Sequence, residues 1–212
     1  MMDPHQGQPV LSSGSTLGEA RAAMILVHGR GADARDILEL AEEFPNPAFA
    51  YLAPQAAGRT WYPYSFLSPL EQNEPHLSSA LRLLGVVVQQ VIDAGIPHDR
   101  LILLGFSQGA CLCTEFAARN ARRYGGVVAL TGGLIGPDDT PRDYPGAFDG
   151  TPIFLGSSDP DPHIPVSRVD ETERVLQHMG AEVTKRIYPG MGHTVSQDEL
   201  IHVRRIMGLL ET

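Results

Sequence analysis

The 212-residue sequence predicts a mostly parallel β-sheet covered by helices on both faces, an α/β fold, and three observations carry that prediction. Short apolar runs alternate along the chain with segments whose apolar residues recur three and four apart. The run Ala22-Ala-Met-Ile-Leu-Val27 lacks any polar alternation, the pattern of a strand buried on both faces. Finally, Gly105-Phe-Ser-Gln-Gly109 lies between an apolar run and a helical pattern, so Ser107 falls at a sharp strand-to-helix turn.

The elements follow in order. Residues 1 to 6 are expected to be loose, and Pro9 to Ser13 to form a first edge strand. Ala22 to His28 is the first buried strand. Asp33 is placed to cap a helix that turns Ile37, Leu40, Ala41 and Phe44 toward the sheet, with Pro45 just past its end. Strand Ala48 to Ala53 comes next. From Pro54 to Pro75 the pattern breaks into Pro, Gly and aromatic residues, a surface loop near the site. The following helix, to about Ala94, carries Leu77, Leu81, Leu84, Val88, Val91 and Ile92 as a core stripe and stops at Gly95. Leu101 to Leu104 is the strand before the turn at Ser107, and Ala110, Leu112, Phe116 and Ala117 mark the helix after it. Gly126 to Thr131 reads as a strand, 132 to 150 as a loop, and Ile153 to Ser157 as another strand. Ser167 with Asp170 resembles a capping box for a helix through Val169, Leu176 and Met179, closed by Gly180. A last strand, Glu182 to Tyr188, leads through Pro189-Gly-Met-Gly-His193 to a helix capped by Ser196 and Glu199 and carrying Leu200, Val203, Met207 and Leu210.

Composition narrows the function. With 42% hydrophobic and 19% charged residues, the chain suits one globular domain over residues 1–212. Its net charge is -9, and no basic run exceeds Arg122-Arg123 or Arg204-Arg205, which argues against nucleic acid as a partner. No basic and apolar leader pattern opens the sequence and no window approaches 18 apolar residues, so a soluble, cytoplasmic protein without a membrane span is expected. Cys111 and Cys113, two apart on one helix, point to different sides and read as small core residues. Neither zinc-ligand spacing nor a phosphate-binding glycine loop is visible, so no metal or other cofactor is expected.

The chemistry centres on Ser107. By composition alone a chain of this length contains Gly-x-Ser-x-Gly about one time in ten, but the flanking strand and helix make this one a nucleophile elbow. In so tight a turn, side chains at Gly105 and Gly109 would clash, and the helix behind aims its free N–H groups at a developing oxyanion. A serine hydroxyl needs an imidazole to take its proton and a carboxylate to orient that imidazole. The order Ser107, Asp161, His193 supplies all three at predicted strand ends, and it is the chain order of α/β-hydrolases. His28 also ends a strand, but it precedes the elbow and reads as structural. Its loop offers the backbone N–H of Arg30, which with that of Gln108 would form an oxyanion hole. Trp61, Tyr62, Tyr64 and Phe66 either line a pocket for the acyl or alcohol group or pack their own loop down.

The blocks Leu26-Val-His-Gly-Arg-Gly-Ala-Asp33, Gly105-Phe-Ser-Gln-Gly-Ala110, Asp161-Pro-His-Ile-Pro165 and Gly190-Met-Gly-His193 resemble the phospholipase/carboxylesterase family, which includes acyl-protein thioesterases. The resemblance spans nearly the whole chain. It implies an α/β-hydrolase fold without a separate lid domain and a cofactor-free serine esterase acting on carboxylic or thioesters. Counting without a gap from Pro152 puts Asp161 at the family's catalytic acid, whereas counting from Gly156 chooses Asp159. The family's oxyanion loop usually has Leu where this chain has Arg30, and a guanidinium there would bear on substrate preference. His163, inside the acid block, joins Trp61, Tyr62 and Phe66 as a substrate-contact candidate. The leading expectation is a carboxylesterase for short- to medium-chain esters. Its alternatives are a thioesterase or lysophospholipase on the same triad, or a non-catalytic binding protein on the same scaffold. The expected partner is a small-molecule ester, with homodimerisation left open.

Overall fold

The computed structural model describes residues 3–211. Its seven strands are β1 (Val10–Gly14), β2 (Ala22–Val27), β3 (Phe49–Pro54), β4 (Leu101–Phe106), β5 (Gly126–Leu130), β6 (Pro152–Asp159) and β7 (Glu182–Pro189). Five helices join them: α1 (Ala34–Ala41), α2 (His76–Asp93), α3 (Gln108–Arg119), α4 (Val166–His178) and α5 (Gln197–Gly208). The strands form one sheet in the order β1-β3-β2-β4-β5-β6-β7, parallel throughout except for β1, which pairs antiparallel with β3. This is the mostly parallel sheet covered by helices that the alternation of elements predicts.

Period-two alternation explains the two cores. In β2, Ala23, Ile25 and Val27 join the apolar layer under α2, α3 and α4, whereas Ala22, Met24 and Leu26 join the layer under α1 and α5. Both faces are dry, so β2, β3 and β5 tolerate no polar alternation. Helix α2 reaches its layer with Leu77, Leu84, Val88 and Val91, the stripe its spacing predicts. Among the described residues, no helix is long and apolar enough to cross a membrane.

Several local expectations are corrected. Residues 1 and 2 of the segment expected to be loose lie outside the described residues, but His5 is fully buried. Its Nδ1 accepts from the Ala57 amide at 3.1 Å, its Nε2 donates to the Trp61 carbonyl at 2.9 Å, and its own amide donates to Ser79 Oγ at 2.8 Å. A single side chain meeting distant partners leaves no periodic signal. Helix α1 ends at Ala41 rather than Phe44, which packs into the core from the turn beyond. Ser167 and Asp170 form no capping box, because α4 already begins at Val166 with Pro165 as its N-cap, and Asp170 instead accepts from Lys185 Nζ at 2.7 Å. Strand β6 runs on to Asp159, so Ser158 and Asp159 belong to the sheet rather than to the loop after it.

Candidate active site

The turn at the end of β4 is as tight as its glycines require. Ser107 sits at φ 54°, ψ -119°, a left-handed conformation that non-glycine residues rarely adopt, and it exposes the side chain ahead of α3. A Cβ on Gly105 would lie 2.3 Å from the carbonyl oxygen of Gly109. One on Gly109 would lie 2.0 Å from the carbonyl oxygen of Val27, so the second glycine is required by the neighbouring strand β2 rather than by Gly105. The elbow is thus wedged against the chain on both sides.

Three side chains from three strand ends meet above the sheet. His193 Nε2 lies 2.8 Å from Ser107 Oγ, and His193 Nδ1 lies 2.8 Å from Asp161 Oδ2. Asp161, not Asp159, makes this contact. Its other oxygen, Oδ1, accepts from the amides of His163 at 2.7 Å and Ile164 at 2.8 Å. Burial opposes charge on Asp161, yet the bonds from His193 and from these two amides outweigh it and hold the carboxyl below its ordinary value. Asp159 has an exposed side chain and contributes through its backbone, its carbonyl accepting from the Gly190 amide at 2.8 Å. With Ser158 Oγ accepting from the Gly192 amide at 3.0 Å, it ties the β7–α5 loop that carries His193. The imidazole is held laterally by the ring of Phe106, with centroids 5.2 Å apart, and edge-on by His163 at 5.0 Å.

The oxyanion candidates lie where the turn puts them. Gln108 opens α3, and its side chain is committed to structure, accepting from the Trp61 amide at 2.9 Å and donating to the Tyr62 carbonyl at 2.8 Å. Arg30 follows β2 beside the elbow, and the next amide along, that of Gly31, is taken by the Arg59 carbonyl at 2.8 Å. His28 is fully buried: its Nε2 accepts from the Ala56 amide at 3.1 Å and its Nδ1 donates to the Gly29 carbonyl at 2.8 Å, which agrees with a structural reading. Burial drives its pKa down, keeping the ring neutral.

A groove of about 460 Å³ opens over Ser107 and His193. Arg30, Tyr62, Phe66 and His163 line it as expected. Trp61 does not: it is fully buried behind the wall, where its indole N–H donates to the His28 carbonyl at 2.8 Å and its ring lies tilted against that of His28, centroids 4.9 Å apart. Of the two readings of the aromatic loop, packing holds for Trp61 and wall-building for Tyr62 and Phe66. Tyr64 is exposed and outside the lining. Sequence reasoning missed Phe106, Cys111 and Ile164, which also line the groove. Phe106 was legible as the residue before the nucleophile; the other two reach the groove only through the way α3 and the acid loop pack. Burial lifts the Cys111 thiol to about 12, so it serves as an uncharged wall. A larger cleft of about 690 Å³ between α1 and the β1 edge holds none of these reactive groups.

The sequence matches the family described as Phospholipase/Carboxylesterase over residues 14–209. It is 28% identical to acyl-protein thioesterase 1 of Debaryomyces hansenii, with 91% of this chain and 92% of that protein aligned. The crystal structure of a phospholipase/carboxylesterase from Dyadobacter fermentans superposes with a TM-score of 0.93 at 45% identity, covering 97% of this chain and 98% of the other. The structure of esterase PE8 shares the fold at a TM-score of 0.76 and 22% identity, over 96% and 98% of the two chains.

Proposed function

The chain belongs to the phospholipase/carboxylesterase family and is a hydrolase acting on ester bonds, and from that premise we propose that Ser107, His193 and Asp161 are its catalytic triad, acting on carboxylic esters with short to medium acyl chains. One observation carries the proposal: the unbroken chain of contacts from Ser107 Oγ through both nitrogens of His193 to Asp161, each 2.8 Å long. A binding protein on this scaffold has no need for a histidine aligned on a serine in a strained turn.

The reaction follows from the atoms. His193 Nε2 takes the proton of Ser107 as Oγ attacks the ester carbonyl, while Asp161 fixes the tautomer with Nδ1–H and stabilises the imidazolium. The amides of Gln108 and Arg30 receive the oxyanion of the tetrahedral intermediate. His193 then returns its proton to the departing alcohol, leaving an acyl-serine that water, activated by the same imidazole, hydrolyses. These steps need no cofactor.

Chain length sets the acyl preference. Of the two loops long enough to cover the site, 54–75 builds one wall and 132–150 lines none of the groove, so nothing among the described residues forms a separate lid. An open groove stops gaining about 0.8 kcal/mol per buried CH₂ once it is full. Thioester hydrolysis is the second reading, supported by the name of the Debaryomyces relative. A fluorophosphonate probe tests the triad: the wild type should label on serine, and Ser107→Ala should not label and should lose about 10³-fold or more in kcat. Turnover of butyrate esters by Ser107→Ala near the wild-type rate would remove the mechanism.

A further inference from the structure

Among the described residues, Arg30 is the one permanently charged side chain lining the groove, and no carboxylate lines it to neutralise that charge. The guanidinium is exposed at the groove and is held in position by main chain alone, Nη1 donating to the Pro63 carbonyl at 2.8 Å and Nη2 to the Tyr64 carbonyl at 2.6 Å. Those bonds use two of its five N–H donors and none of its charge. A structural tie between two loops would account for the two bonds; it leaves a fixed, unpaired cation beside the nucleophile unexplained. The surroundings sharpen the point, because the chain has 25 acidic against 16 basic residues and its overall field repels anions.

We propose that Arg30 selects esters bearing a second, ionised carboxyl group, binding that carboxylate while its own backbone amide faces the reacting carbonyl. A monoanion matches the site, since a single guanidinium holding three spare donors can grip one carboxylate through a two-pronged contact. Its orientation is already fixed by Pro63 and Tyr64, so little side-chain freedom is lost on binding. The inference rests on the esterase reading above.

Paired substrates test it. In one arm, kcat/KM of the full chain is measured for monomethyl adipate and for methyl hexanoate, which places the charge in the acyl half; in the other, for 3-acetoxybenzoate and phenyl acetate, which places it in the alcohol half. The expected result is a ratio above one for the charged ester in at least one arm, falling about fivefold in Arg30→Gln, the scale of one partly exposed ion pair. General damage to the loop would lower both esters alike and leave the ratio standing. A wild-type ratio at or below one in both arms, or a ratio that Arg30→Gln does not change, overturns this inference alone. Absence of turnover of all four esters together with absence of fluorophosphonate labelling overturns the esterase reading and this inference with it.

Discussion

Asp161 and Asp159 stand two residues apart, and their environments assign them different work. The Asp161 side chain is buried, with both oxygens engaged by His193 and by the amides of His163 and Ile164. The Asp159 side chain is exposed. Asp161→Asn should therefore lower kcat by orders of magnitude, on the scale of about 10⁴ known for a triad aspartate, by presenting His193 in the wrong tautomer. Asp159→Asn should change it less than about threefold, since the backbone carbonyl that holds Gly190 survives the substitution. Steady-state kinetics on a soluble ester distinguish them, and the reverse ranking would move the acid to Asp159. The sequence had left both counts open because the two carboxylates share a loop and a spacing. The deciding fact is which one the end of β6 turns toward His193.

Two serines near helix starts look alike in sequence and differ in the fold. Ser196 accepts from the Glu199 amide at 3.2 Å while the Glu199 carboxylate accepts from the Ser196 amide at 2.7 Å, a complete capping box for α5. Ser167 lies inside α4, past the Pro165 cap, and has no capping role. Ser196→Ala should cost about 1 kcal/mol of unfolding free energy, whereas Ser167→Ala should stay within about 0.5 kcal/mol of the wild type. Equilibrium urea unfolding of the two variants checks the pair, and equal losses would refute the distinction. Helix α1 was easier to place, since Asp33 accepts from the amides of Arg35 and Asp36 as its position before the helix predicted.

At the scale of the whole molecule, buried histidines couple stability to pH. His5, His28 and His202 are all held below the ordinary histidine value, with burial the largest cause in each. The unfolded chain takes up protons at these side chains near pH 6.5, where the folded chain does not, so the unfolded state binds more protons and stability rises with pH. Their contribution is fully present above about pH 6.5 and falls as the pH drops toward the lowered folded values. Urea midpoints should therefore decline on acidification from about pH 7.5 to 5.5, and the decline should be shallower in His5→Asn, which removes one such group. A flat profile over that range would contradict the burial of these rings as neutral imidazoles.

The sequence alone determined the sheet, the elbow and the chain order of Ser107, Asp161 and His193. Strands buried on both faces admit only apolar runs, and the elbow leaves no room for a side chain at Gly105, so both constraints are written into contiguous residues, whereas the need for glycine at 109 comes from strand β2. The tertiary structure decided what depends on distant contacts. It placed Trp61 behind the groove wall rather than in it, drew His5 into the interior, set Asp161 rather than Asp159 against His193, and left the Arg30 charge unpaired beside Ser107. Each of these is set by a partner dozens of residues away or by the direction in which one backbone turn faces, and neither leaves a periodic trace along the chain.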